Sequence, residues 1–155
     1  MTWPAKVITV SDGVADGTRE DKSGAALEAR LGAEGFEVVA RTVTADGVEA
    51  VAGALREACE GFSGLVVTTG GTGFGPRDLT PEGTLAVLDR QAPGLAEAMR
   101  LVSPLGRLSR AVAGTLGTAL ILNTPGSTKG CVETLDAVLD VVPHALELLA
   151  GERPH

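Results

Sequence analysis

Tyrosine is absent from this chain of 155 residues, and aromatic side chains make up only 3% of it. Few ring faces are therefore available for stacking nucleic-acid bases. Positive charge is also scarce: 13 Lys and Arg stand against 20 Asp and Glu, a formal net charge of −7. A chain so balanced has no basic footprint and little of the counterion-release energy that drives nucleic-acid binding. Nucleic acid is excluded as an expected partner, and any phosphate must be met by backbone amides, a few placed cations or a bridging Mg²⁺.

Histidine is confined to His144 and the terminal His155. That poverty excludes metal sites built from His and Cys. Hydrolase triads fail too, because no nucleophile elbow is present. His144 follows Pro143 in an apolar stretch and reads as structural or solvent-facing. Cys59 and Cys131 form no C-x-x-C pair, so buried thiols in a reduced compartment are expected. No apolar run approaches the ~20 residues needed to span a bilayer. The stretch Met1 to Ser11 lacks the basic start and longer apolar run of a signal peptide, which makes the cytoplasm the expected location.

What is present is an ordinary globular composition, 44% hydrophobic and 21% charged. A chain of this length buries about 68–70% of its extended surface. One domain over residues 1–155 follows.

Lys6 to Val10 is a β-branched run ending at Ser11-Asp12-Gly13, the pattern of a buried strand entering a loop. The loop extends to Ser23. A helix follows with Leu27 and Leu31 four residues apart, stopped by Gly32 and Gly35. Phe36 to Val43 is a second strand. From Asp46 a helix places Val48, Val51, Ala52, Leu55 and Cys59 on one face. Leu65 to Thr69 is the clearest strand and runs into Gly70-Gly71-Thr72-Gly73. Thr80-Pro81-Glu82 has the form of a helix start, with the Thr80 hydroxyl as N-cap, and another helix runs from Pro93-Gly94 to about Ser103. Thr118 to Leu122 is a further strand, and helix closes the chain from about Gly130, interrupted at Pro143 and ended by Gly151.

Alternating strands and helices, with four strands apolar throughout, imply an α/β fold with a mainly parallel central sheet and helices on both faces. Ligands of such sheets bind beyond the carboxyl ends of the strands. Three strands end there in loops of special composition: 11–23, 70–78 and 123–129.

The glycines after the third strand let the backbone turn its N–H groups toward an anion, and the next helix contributes its dipole. The loop does not fit the dinucleotide pattern, since Pro76 stands where a third glycine would. It is no Walker A loop either, because no Gly-Lys-[Ser/Thr] follows. A tight turn in a chain with 21 glycines is the plainer alternative. Asp78 beside such a cradle suggests a Mg²⁺ ligand, or alternatively a surface ion pair. Asp46 with Glu49 also fits a helix capping box. In the last loop, Lys129 offers a point charge for a phosphate, and Ser109-Arg110 adds a planar cation fork. For any one of these cations, a solvated surface charge is the commoner outcome.

Taken in order, six segments resemble the molybdopterin-binding family that includes the MogA and MoaB proteins and the homologous domains of gephyrin and the plant Cnx proteins. They are Val10-Ser11-Asp12, Glu20-Asp21-Lys22-Ser23-Gly24, Thr68 to Gly73, Pro76 to Glu82, Leu108-Ser109-Arg110, and Leu122-Asn123 with Pro125-Gly126-Ser127. The resemblance implies a fold of three α/β/α layers and a homotrimer that transfers AMP from ATP to the terminal phosphate of molybdopterin. An insertase of the MoeA type would be the downstream partner. It also implies two catalytic, Mg²⁺-holding aspartates, which match Asp46 and Asp78. Ser11, Asp12, Thr69, Gly70, Gly71, Thr72, Gly73, Ser109, Arg110, Asn123, Pro125, Gly126, Ser127 and Lys129 are the implied substrate and nucleotide contacts. The chain departs from the common pattern at Ala45, where many members have Pro, and at Thr124, where an aliphatic residue is usual. A MoaB-like protein that binds molybdopterin without adenylylating it is the alternative reading. A flavodoxin-like phosphate binder is disfavoured, because a flavin wants aromatic cover.

Overall fold

The computed structural model describes residues 2–152. Its centre is a six-stranded sheet in the order β2-β1-β3-β6-β5-β4. The strands are β1 Pro4–Val10, β2 Glu37–Thr44, β3 Leu65–Thr69, β4 Arg90–Gln91, β5 Ala113–Leu116 and β6 Ala119–Thr124. β1, β2, β3 and β6 run parallel, while β5 is antiparallel to both β6 and β4. The parallel four are the strands expected from sequence. β5 and β4 carried no such signal: one is Ala-Gly-Thr-Leu and the other only two residues long.

Successive side chains on each strand point to opposite faces, and the core divides accordingly. Val7, Val67 and Leu122 face one cluster with Leu27, Leu31, Leu135 and Leu146. Ile8, Val66 and Ile121 face the other with Val51, Ala52 and Leu55. The first cluster is covered by α2 (Lys22–Ala33), α6 (Thr128–Asp136) and α7 (Val142–Leu149), and the second by α3 (Val48–Cys59). Helices on both faces of a mostly parallel sheet give the three α/β/α layers. The structure adds a short helix, α1 (Asp12–Ala15), inside the first loop. It also places α4 at Thr80–Leu85, α5 at Pro93–Arg100 and a 3-10 turn at Pro104–Leu108.

Several expected boundaries move, each for a local reason. α2 runs through Gly32, and the chain turns only at Gly35, whose φ of +95° a side chain would resist. The closing helix breaks ahead of Pro143, leaving α7 with that proline in its first turn. Thr80 does not cap α4: it is the helix's first residue, and its hydroxyl donates to the Gly70 carbonyl at 2.9 Å. Asp46 is no N-cap either. Gly47 occupies that position on α3 with no side-chain cap, and the Asp46 carboxylate is engaged elsewhere.

Cys59 and Cys131 are buried free thiols. His144 lies on α7 with its Nδ1 3.8 Å from Glu147, whereas His155 falls outside the described residues. No helix among the described residues is long and apolar enough to cross a membrane.

Candidate active site

Because β1, β2, β3 and β6 are parallel, the loops that follow β1, β3 and β6 meet at one sheet edge. They enclose a cavity of about 700 Å³, a size suited to a nucleotide-scale ligand.

Backbone forms its floor. Gly70 and Gly71 have φ of +103° and +69°. A Cβ on Gly70 would collide with the Val10 carbonyl oxygen, and one on Gly71 with the Thr80 hydroxyl. Glycine is required at both places by conformation and by space. The turn is pinned on each side: the Gly70 N–H donates to the Thr124 carbonyl at 3.1 Å, and the Thr80 N–H to the Gly71 carbonyl at 3.0 Å. The Thr69 hydroxyl donates to the Pro125 carbonyl at 2.8 Å, which ties the glycine loop to the turn after β6. That turn leads into α6 through Ser127, whose hydroxyl accepts from the Gly130 N–H at 3.0 Å. Ser11, Thr69, Gly70, Gly71, Thr72, Gly73, Ser109, Pro125, Gly126 and Ser127 all line the cavity, as do Asp46 and Asp78. Twelve expected site residues, scattered over the sequence, are thus brought together.

Asp46 and Asp78 stand at the lip, both half-buried. Asp78 accepts from the Gly75 N–H at 2.9 Å. Asp46 Oδ2 accepts from the Asp12 N–H at 2.9 Å, and Asp12 Oδ1 accepts from the Asp46 N–H at 3.1 Å. Desolvation raises the Asp46 carboxyl above its ordinary range, and the charges of Asp12 and Asp78 add to the rise. The Asp12 amide and Arg77 act against it. Asp12 behaves oppositely: the Arg77 guanidinium and then the Asp46 amide hold it below the ordinary carboxylate range. The two carboxylates are thus unequally compensated: Arg77 pairs directly with the Asp12 carboxylate, whereas the Asp46 carboxylate accepts from the Asp12 amide.

Four expected contacts take other roles. Asn123 is fully buried: its amide donates to the Thr68 and Thr84 hydroxyls at 2.9 and 3.1 Å, and its carbonyl accepts from the Val112 N–H at 3.1 Å. With all of these bonds made inside the protein, it joins β6 to β3, α4 and the lead into β5 rather than reaching a ligand. Arg110 is likewise occupied. It donates to the Gly73 carbonyl at 2.8 Å, to Glu82 at 2.6 Å and to the Asp78 carbonyl at 2.5 Å, so its fork braces the glycine loop instead of opening toward phosphate. Lys129 is 88% exposed, lies 3.6 Å from Glu133 and borders a neighbouring hollow of about 330 Å³. Asp12 is turned to Arg77.

Sequence reasoning passed over the cations that do line the cavity, Arg19 and Lys22, together with Glu20 and Ser23. The sequence marks their loop, 11–23, as part of the ligand edge, and Glu20 to Gly24 as a family segment, without singling out these side chains. Within it Asp21 is structural, accepting from the Thr9 hydroxyl at 2.8 Å and capping α2 through the Gly24 N–H at 3.0 Å. Lys22 and Ser23 are the parts left to face the cavity. The departure at Thr124 also has a local account. Its buried hydroxyl donates to the Thr68 carbonyl at 2.8 Å, locking β6 to β3 just before both strands end.

The sequence pattern of the family described as "Probable molybdopterin binding domain" matches residues 6–144. The chain is 38% identical to the molybdopterin adenylyltransferase of Escherichia coli K12, over 94% of this chain and 84% of that protein. It is 36% identical to the corresponding enzyme of Helicobacter pylori J99, over 94% and 86%. Among solved structures, the molybdopterin biosynthesis enzyme MoaB of Thermus thermophilus superposes with a TM-score of 0.90 at 46% identity, covering 97% of this chain and 98% of that one. The Mog protein of Mycobacterium ulcerans gives 0.88 at 41%, covering 98% and 99%. With a family pattern running through residues 6–144, and a cavity where the loops after β1, β3 and β6 converge, the protein belongs to the molybdopterin-binding domain family.

Proposed function

We propose that this chain is a molybdopterin adenylyltransferase of molybdenum cofactor biosynthesis, acting on ATP with Mg²⁺ in the cytoplasm as a homotrimer. In the reaction, a terminal phosphate oxygen of molybdopterin forms a bond to the α-phosphorus of ATP. The bond from that phosphorus to the bridging oxygen of the β-phosphate breaks, and pyrophosphate leaves. The adenylate would pass to an insertase of the MoeA type.

The observation that carries this reading is the pairing of a backbone-amide cradle with two acidic side chains at its lip, in a chain similar to adenylyltransferases along most of its length. Phosphoryl and nucleotidyl transfer ask a protein chiefly for positioning and charge neutralisation. The attacking phosphate is already ionised, so no general base is needed, and the scarcity of histidine is no obstacle.

Asp46 and Asp78 fit a magnesium ion. They are hard oxygen donors, and Asp46 is destabilised as an anion by burial and by Asp78. No group of three or more His, Cys, Asp or Glu among the described residues could form a metal cage. That suits an ion that takes most of its ligands from substrate phosphates and water. When bound, the ion would offset the charge accumulating between the two phosphates. The protein's share is to hold the anions on the Gly71, Thr72 and Gly73 amides, the start of α6 and the side chains of Arg19 and Lys22.

The test is to incubate the purified chain with molybdopterin, ATP and Mg²⁺ and to follow adenylated pterin and pyrophosphate. Asp78→Asn and Asp46→Asn should each lose most turnover while keeping the wild-type circular dichroism spectrum. Pterin binding without pyrophosphate release in the wild type would instead make this a binding protein. Light scattering should give three chain masses, and a monomer would remove the trimer.

A further inference from the structure

Arg77 precedes Asp78 in the glycine loop, yet its side chain turns away from that residue and crosses to two other strand ends. Its Nε donates to Asp12 Oδ2 at 3.0 Å and one terminal nitrogen to Asp12 Oδ1 at 3.1 Å. The same nitrogen donates to the Asp46 carbonyl at 3.0 Å. Asp12 and Asp46 then exchange their own amide-to-carboxylate hydrogen bonds. One guanidinium thereby fastens the ends of β1 and β2 to the loop after β3, across sequence separations of 65 and 31 residues.

A surface ion pair formed by chance needs none of this. Arg77 is 62% exposed and Asp12 45%, so the pair contributes little to folding in water. What the fork does supply is direction, because a bidentate pair with a further carbonyl contact fixes a plane as well as a distance. Asp46 and Asp78 belong to different loops, and no hydrogen bond between the two is present among the described residues. The short route between them runs from Asp78 through the adjacent backbone to Arg77, and from its guanidinium to the Asp46 carbonyl and to Asp12.

We infer that Arg77 is a positioning residue: it sets the separation of Asp46 and Asp78, with Asp12 as its anchor, and so determines how well the two aspartates act as a pair. The inference rests on the adenylyltransferase reading for its kinetic consequence, though not for the coupling itself. Arg77→Met keeps the aliphatic stem and removes the fork. Arg77→Lys keeps the charge but cannot span both Asp12 oxygens and the Asp46 carbonyl.

Three readouts test it. In the metal-free protein, exchange of the Asp12 and Asp46 amide protons should speed up about tenfold in Arg77→Met, as expected when a charged tether is lost locally. Mn²⁺ binding in the presence of ATP, followed by electron paramagnetic resonance, should weaken about 10–100-fold, the usual cost of losing a residue that orients metal ligands. Turnover should fall by a similar factor, while the affinity for ATP without metal stays at the wild-type value. Arg77→Lys should restore less than half of each loss on a logarithmic scale. If Arg77→Met folds and leaves both amide exchange and Mn²⁺ affinity unchanged, or if lysine restores both fully, the inference is overturned. Should the wild type prove inactive, the adenylyltransferase reading fails on its own, and the exchange and Mn²⁺ measurements still decide the role of Arg77.

Discussion

Replacing Arg110 by methionine separates two accounts of the same residue. As a phosphate ligand, Arg110 would be dispensable for folding and important for affinity. As the brace seen here, it should be the reverse. The guanidinium holds the Gly73 and Asp78 carbonyls and the Glu82 carboxylate. The Arg110 and Glu82 side chains are 31% and 43% exposed, so solvent screening reduces the ion pair to about 1 kcal/mol or less. The two carbonyl tethers contribute about 1 kcal/mol each. The other Glu82 oxygen is already buried with no hydrogen-bond partner, so losing Arg110 leaves that carboxylate worse compensated. Together the substitution should cost about 2–4 kcal/mol. In a chain of this length each kcal/mol moves the melting temperature by about 2–4 °C, which predicts a fall of about 5–15 °C by calorimetry. Metal-free ATP affinity, measured at a temperature where the variant is fully folded, should change less than about threefold, and methionine at Glu82 as well should recover part of the loss. A wild-type melting temperature combined with a tenfold weaker ATP affinity would refute this reasoning and return Arg110 to the phosphates.

The cations differ in a way that binding can resolve. Lys22→Ala should weaken binding of an ATP or pterin phosphate by about tenfold, since Lys22 lines the cavity and a charged contact of that kind is worth about 1.5 kcal/mol. Lys129→Ala should leave both affinities unchanged, because its side chain is 88% exposed beside Glu133; equal effects from the two would contradict the geometry. The thiols offer a measure of the core. Burial pushes both Cys59 and Cys131 up to about 11 from an ordinary 9.0, so a disulfide reagent at pH 8 should label neither in the native protein and both in denaturant. These raised values stabilise the fold below pH 9, and that contribution is lost as the pH climbs toward 11. The melting temperature should accordingly drop across that window, and rapid native labelling would contradict the burial.

The sequence alone was enough for the parallel part of the sheet. Lys6–Val10, Leu65–Thr69 and the apolar run before Asn123 are buried on both faces, and strands of that kind must be β-branched and aliphatic throughout. It was also enough for the glycine loop. A Cβ at Gly70 or Gly71 would meet a backbone carbonyl or a hydroxyl, so composition itself records the close approach. Parallel strands then oblige the loops that follow them to share an edge, which is why most of the expected site residues do converge. What the linear pattern could not carry is the use made of each polar group. A short antiparallel pair such as β4 and β5 is stabilised by its neighbours and leaves no periodicity to read. Arg110 and Asn123 look the same in sequence whether their donors face a ligand or, as here, carbonyls and hydroxyls more than 30 residues away. Asp46 looks like a helix cap until the end of β1 is placed beside it, where Asp12 takes up its carboxylate. Those choices depend on which hydrogen-bonding partners the tertiary fold delivers. A buried donor takes whichever acceptor the packing brings within 3 Å or so, and only the folded chain decides which one that is.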